Sequence, residues 1–267
     1  MKDFAYLPVH MKEMLSKKMS ELDAFRPFSA FLEKSLDDWT RIELTYTDSA
    51  LEDEQSLMLT RNEAREISRG YRFCPKERYP LVKARNHVKT WDWLRQKVKK
   101  NKIVTLIDEK LICDINARLF EGIEEWQAYA GVYRNSKVRV RGSWFIPPNY
   151  IKVPQLVRSF VSLLHKQSMH PVELAVFAHF KLVSIHPFHD GNGRTSRLLM
   201  NMILEMYDFP PCIIENSKRE EYYKVLERCQ TFSNNKGYDE FLYFIYDRIL
   251  DVFDSYQFQI RNSMVKR

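Results

Sequence analysis

Residues 186–197, HPFHDGNGRTSR, bring two histidines, an aspartate, a Gly-Asn-Gly turn and two arginines into twelve positions between two apolar stretches of helical character. Three chemistries compete for such a cluster. His189-Asp190, with His179 or His186 as partners, has the residue types of a helical metal phosphohydrolase dyad, although the glycines that follow would break the helix presenting the ligands. A plain helix–loop–helix corner explains Gly191 and Asn192. It leaves Arg194 and Arg197 in the first turn of the next helix, where the dipole disfavours cations. The third reading is an anion cradle. Backbone N–H groups of Gly191, Asn192 and Gly193 entering a helix form a nest for phosphate oxygens, and glycine lacks the Cβ that would block close approach. Arg194 and Arg197 suit phosphate by charge and by fork-shaped hydrogen bonding. Asp190 is a hard oxygen ligand for Mg2+ bridging phosphates, and His186 can act as general base on an attacking hydroxyl. Phe188 is expected to turn inward and anchor the loop. Together these parts suit nucleotidyl or phosphoryl transfer, where catalysis is mostly positioning and charge neutralisation.

The elements that must hold the cluster read as helices. Apolar spacing predicts helices over 10–23, 27–37 and 36–49, with Pro8 and Pro27 as breakers. Thr60 and Glu63 form a capping box for the segment that Gly70 closes. Further helices are expected over 81–99, 108–121, 153–166, 171–185, 194–207, 219–232 and 238–260. One segment differs in character: GVYRNSKVRVRGSWFIPP, residues 131–148, alternates at Val138, Arg139, Val140 and Arg141 and predicts a short β-hairpin near 132–146. The fold class expected is all-α with this one hairpin. The simplest division is an N-terminal helical extension over 1–79, a main domain over 80–260 and a tail over 261–267.

Composition fits that picture. Only 7 glycines stand against 17 phenylalanines and 14 tyrosines, which argues for helices over a turn-rich β-fold. The four cysteines, Cys74, Cys113, Cys212 and Cys229, are far apart with no CxxC pair, and the N-terminus has no apolar signal core. Free thiols and a cytoplasmic location are the expectation. The net charge of +7 admits anionic partners, but the basic run at 95–102 lacks interleaved aromatics for base stacking and reads as a solvated helix end. Neither a membrane nor nucleic acid is the expected partner.

His-x-Phe-x-Asp-Gly-Asn-Gly-Arg-x-x-Arg at 186–197 resembles the signature of the Fic domain family at all eight specified positions. The resemblance extends from roughly residue 80 to 250: residues 131–148 look like the Fic flap, and RLLMNMILEMYDFPP resembles the helix and Pro-Pro turn that follow the signature. It implies a Fic-type helical bundle and AMPylation, the transfer of AMP from Mg-ATP to a Ser, Thr or Tyr hydroxyl of a target protein, possibly the chain itself. By position, His186 would deprotonate the target hydroxyl and Asp190 would hold Mg2+ against the α- and β-phosphates. Gly191, Asn192 and Gly193 would form the anion hole, with Arg194 near the phosphates and Arg197 on the γ-phosphate. The flap residues Arg139, Val140, Arg141 and Gly142 would pair with the target's extended backbone. Gly193 stands where phosphotransferase relatives carry lysine, which favours AMP over phosphate transfer.

Many members of the family carry an inhibitory helix with the pattern Ser/Thr-x-x-x-Glu-Gly/Asn. TYTDSALEDEQSLMLTRNEA, residues 45–64, falls into that register with Glu52 as the inhibitory glutamate, which would pair with Arg197 and occupy the γ-phosphate position. The chain departs from the pattern twice: Asp48 stands at the Ser/Thr position and Asp53 at the Gly/Asn position. The resemblance leaves open the transfer of another phosphate-containing moiety and the removal of AMP. A non-catalytic regulatory module is the alternative from another class. The target protein and the oligomeric state are not written in the motif.

Overall fold

A computed structural model describes residues 6–52, 59–70, 79–231 and 235–265. Among the described residues ten α-helices follow in chain order: α1 (Val9–Asp23), α2 (Ala30–Glu52), α3 (Arg61–Ser68), α4 (Tyr79–Lys100), α5 (Glu109–Leu119), α6 (Val153–His165), α7 (Pro171–Ile185), α8 (Asn192–Met206), α9 (Arg219–Thr231) and α10 (Asn235–Val265). The helices expected over 27–37 and 36–49 are one continuous helix, α2. No glycine or proline stands between Pro27 and Gly70, so nothing in the sequence interrupts it. Local rules set several ends. Thr60 and Glu63 close the capping box of α3, Asp108 accepts from the backbone N–H of Leu111 at 2.6 Å to start α5, and Pro171 opens α7 behind a box between His170 and Glu173. The helix α10 runs on through residue 260 without a break.

Helices α7 and α8 form the central antiparallel pair. Nearly every residue of α8 is buried, polar ones included, so this helix is enclosed on all sides and contributes its N-terminus, not a face, to function. Around it lie Trp91, Leu94, Phe177, Phe241 and Phe253, all 1% exposed or less. The same core takes in Leu15, Leu22, Leu44 and Leu51 of the first two helices. The backbone N–H of Leu7 and the ammonium of Lys12 both reach the buried carboxylate of Glu173, at 2.6 and 2.9 Å. A smaller cluster, Leu59, Ala64 and Ile67 against Leu81, Ala84 and Val88, fixes α3 against α4, and with it the approach of α2 to α8.

The hairpin expected over 132–146 is absent: the segment is extended and unpaired among the described residues, with a turn closed by Ser143 N–H to the Val140 carbonyl at 3.2 Å. An isolated pair of strands is marginal in water, and here side chains supply the anchoring that a ladder would. Arg134, 3% exposed, donates to the carbonyls of Ser136 and Pro148. On the other limb Glu227 of α9 accepts from the Ser143 hydroxyl at 2.6 Å and from the Trp144 N–H. The alternation survives without pairing: Val138 and Val140 are half-buried, while Arg139, Arg141 and Gly142 are exposed at the tip.

Candidate active site

The loop between α7 and α8 is built by a left-handed stop and a left-handed start. His186 ends α7 at φ 52°, ψ 59°, uncommon for a residue with a Cβ. Arg134 holds it there: its Nε donates to the His186 carbonyl at 2.7 Å and its backbone N–H to the Pro187 carbonyl at 2.9 Å. Phe188 is fully buried, as its apolar character predicts. Asn192 clamps it from both sides, accepting from the Phe188 N–H and donating to its carbonyl, each at 2.9 Å. The Asn192 side chain therefore shapes the loop. Gly191 starts α8 at φ 76°, where a Cβ would lie 2.8 Å from the Phe120 ring and 3.0 Å from the Asn116 amide. That amide donates to the Asp190 carbonyl at 3.0 Å, and its oxygen accepts from the Gly131 N–H at 2.9 Å, tying the loop to the base of the flap.

The ionisable groups differ in what satisfies them. His186 Nδ1 lies 3.3 Å from the Val183 carbonyl. A carbonyl only accepts, so Nδ1 carries the proton and Nε2 keeps its lone pair. Burial pulls the His186 pKa down to about 4, so the imidazole is neutral at pH 7 and able to take a proton at Nε2. Asp190 accepts from the Gly191 N–H at 2.6 Å through one oxygen, and its other lies 3.6 Å from Arg194. The carboxylate is more than one-third exposed, an open hard ligand of the kind Mg2+ shares with phosphates and water. Arg194 is 4% exposed over the Phe120 ring, with no hydrogen-bond partner at Nε or Nη1 among the described residues. Unsatisfied buried donors on a cation are costly, and an anion at the N-terminus of α8 would remove that cost.

Arg197 is also 4% exposed, and it is paired. Its Nη2 donates to Glu52 Oε1 at 2.6 Å and its Nε to Asp48 Oδ1, while Nη1 lies 3.5 Å from the Tyr222 hydroxyl. Glu52 stands directly over Gly193: a Cβ added there would collide with its carboxylate oxygen and come within 2.9 Å of Arg197 Nη1. Burial would raise the Glu52 pKa, but Arg197 and then Arg194 outweigh it and hold the carboxyl below its usual value. Glu52 is thus an anion from the chain itself, seated at the cradle. Asp53 lies outside the described residues, as does Cys74.

The loop residues expected from the sequence and Glu52 are brought together here, and the base of the flap is tied to the loop through Arg134 and Asn116. The metal-dyad arrangement of His189-Asp190 with His179 or His186 is not formed: no group of three or more His, Cys, Asp or Glu side chains stands where it could hold a metal among the described residues. His179 is fully buried with Nε2 3.0 Å from the Tyr222 hydroxyl, and His189 packs edge-on to Tyr129 at 4.8 Å between centroids. Sequence reasoning missed Asn116, Arg134, Tyr222 and His87. Each is a lone polar residue with no motif around it, and only burial marks it out.

Comparison with known proteins bears on this geometry. Residues 106–204 match the Fic/DOC family. The chain is 39% identical over 162 residues to a protein adenylyltransferase Fic of Aedes aegypti, covering 58% of this chain and 30% of that protein. It is 42% identical over 129 residues to the protein of the same name in Drosophila ananassae, covering 47% and 25%. The chain therefore spans less than a third of the length of these curated relatives. Its fold is that of a Fic domain containing signaling protein from Bacteroides thetaiotaomicron, with a TM-score of 0.77 at 21% identity over 94% of this chain and 96% of that one. It also superposes on Fic-1 of C. elegans, with a TM-score of 0.72 at 23% identity over 96% and 74%.

Proposed function

We propose that this chain, whose residues 106–204 match the Fic/DOC family, is a protein adenylyltransferase, moving AMP from Mg-ATP to a hydroxyl of a target protein. The observation that carries the reading is the cradle at the N-terminus of α8. It has two buried guanidinium groups, one with two donors unsatisfied among the described residues and the other held by Glu52 and Asp48, and Glu52 lies against Gly193 where a phosphate oxygen would approach. In the open state Arg197 takes the γ-phosphate, and Arg194 with the backbone N–H groups of 191–193 takes the oxygens nearer the reacting phosphorus. His186 Nε2 accepts the proton of the target hydroxyl. The hydroxyl oxygen forms a bond to the α-phosphorus, the bond from that phosphorus to the bridging oxygen breaks, and pyrophosphate leaves. Asp190 would hold Mg2+, which supplies charge neutralisation to the phosphates. The flap tip, with Arg139, Val140, Arg141 and Gly142, presents the target segment to His186. Glu52 inhibits by competing for Arg197.

The test is to incubate the full chain and its Glu52→Gly variant with Mg2+ and ATP labelled at the α- or γ-phosphate, with and without lysate, and with His186→Ala as control. Label from the α position is expected in protein bands, stronger in Glu52→Gly and lost in His186→Ala. Label from the γ position alone would replace the reading by phosphotransfer. No label from either position would replace the reading by transfer from another donor or by the non-catalytic regulatory module.

A further inference from the structure

Glu52 is not the only carboxylate on Arg197. Asp48 lies one turn earlier on α2, on the same face, and accepts from Arg197 Nε while Glu52 accepts from Nη2. The two differ in depth: the Asp48 side chain is 9% exposed and that of Glu52 22%. Behind Asp48 stands His87 of α4, 4% exposed, with Nε2 2.8 Å from the second Asp48 oxygen and Nδ1 3.4 Å from the Thr45 hydroxyl. Three helices are tied in sequence, α4 through His87, α2 through Asp48 and α8 through Arg197. Burial would push the Asp48 carboxyl up, but Arg197 and His87 hold it at about 2.

We propose that Asp48 is a positioning residue that holds the Arg197 guanidinium at the cradle after Glu52 has withdrawn, so that Arg197 meets the γ-phosphate already oriented. The proposal rests on the nucleotide reading given above. A buried guanidinium with no counter-ion is strongly unfavourable, so if both carboxylates left together Arg197 would turn away or draw in water. Asp48 prevents this, because its place behind the arginine keeps it out of the space over Gly193 that Glu52 blocks. With Nε taken, the Nη donors remain for phosphate, and less side-chain entropy is lost on binding. The aspartate that departs from the inhibitory pattern therefore acts in the opposite sense to Glu52: Glu52 occludes the arginine, and Asp48 presents it.

The experiment measures Kd for ATP and ADP by titration calorimetry with Mg2+ on the full chain. The Glu52→Gly protein is compared with Glu52→Gly carrying Asp48→Ala, Asp48→Asn or His87→Ala. ADP lacks the phosphate assigned to Arg197, so the ratio of the two constants isolates that contact. Asp48→Ala is expected to weaken ATP about tenfold, the scale of one charge-assisted hydrogen bond, and to leave ADP within about twofold. Asp48→Asn keeps an acceptor for Nε–H and should restore most of the ratio, with His87→Ala between. If Asp48→Ala does not fold, Asp48→Asn and His87→Ala still read the ratio. Equal weakening of ATP and ADP would make Asp48 merely structural, tighter ATP binding would make it a second inhibitor, and an unchanged ratio would give it no role; each overturns the proposal alone. If Glu52→Gly itself does not favour ATP over ADP, the assignment of Arg197 to the γ-phosphate fails with it.

Discussion

Replacing Glu52 tests how much the chain's own anion costs an incoming nucleotide. Its contact with Arg197 is short, 2.6 Å, and only the outer part of the side chain meets solvent. A hydrogen bond between charged groups in such a place contributes about 1.5–3 kcal/mol, a factor of roughly ten to a hundred in the population of the open cradle. Glu52→Gly should therefore lower the apparent KM for ATP by about that factor. Glu52→Gln, which keeps the shape and one acceptor oxygen but not the charge, should fall between. The fold should tolerate the change. Arg197 keeps Asp48, and a glycine at the end of α2 costs about 1 kcal/mol, a few degrees in Tm for a chain of this size. Initial velocities with α-labelled ATP give the KM. A thermal-shift titration gives affinity independently, since Tm rises with the ratio of ATP to Kd. If neither variant changes the ATP dependence in either assay, Glu52 does not compete with nucleotide and the argument from its position over Gly193 is wrong.

Two further outcomes follow from the geometry. Gly191→Ala adds a Cβ 2.8 Å from the Phe120 ring at φ 76°, so it should lower stability by about 1–3 kcal/mol and weaken ATP binding beyond what Gly122→Ala does. That glycine has a similar φ and open space, and equal effects in calorimetry would discount the close approach at the loop. Burial depresses His179 to about 3 and His186 to about 4, so both contribute stability in full above about pH 6.5 and lose it as pH falls toward those values. Between pH 7 and 5 the cost is about 2 kcal/mol for the fully buried His179. His179→Gln should flatten the fall of Tm over that window, and an unchanged slope would refute the assignment.

What the sequence disclosed and what it withheld divide along chain distance. The cradle was legible because its histidine, aspartate, glycines and arginines are contiguous, and a loop entering a helix constrains them without any tertiary knowledge. Glu52 was legible only by register, yet its place over Gly193 is where that register puts it. The partners of the second tier were not legible. Arg134 and Asn116 look like surface residues in the sequence, and they became buried struts because the flap folds back over α5 and the loop. His87 meets Asp48 across 38 intervening positions, a pairing that nothing local encodes. The flap misled in the other direction: alternation of valine and arginine is a strand signal, but a strand needs a partner, and anchoring by Arg134 and Glu227 gave the segment an extended course without one.

The way α2 is fastened decides how the cradle can open. The Leu51 carbonyl, one residue before Glu52, accepts from the Tyr223 hydroxyl at 2.8 Å and from Arg219 Nε at 3.1 Å, both on α9. Three residues earlier Asp48 is locked between His87 and Arg197. The backbone up to residue 51 is therefore held at two points, and withdrawing the whole helix would break both sets of contacts and uncover Leu44 and Leu51 from the core. Rotating the Glu52 side chain breaks only the bond to Arg197 and leaves these contacts intact. On the proposed reading, opening thus falls on the Glu52 side chain, and α2 stays in place with Asp48 on Arg197. Tyr223→Phe removes one of the two donors on the Leu51 carbonyl, a contact that opening by the Glu52 side chain leaves intact, so labelling at limiting ATP should stay within about twofold of the parent's. A rise of about tenfold or more at limiting ATP would mean that α2 moves as a whole, and would refute opening by the side chain alone.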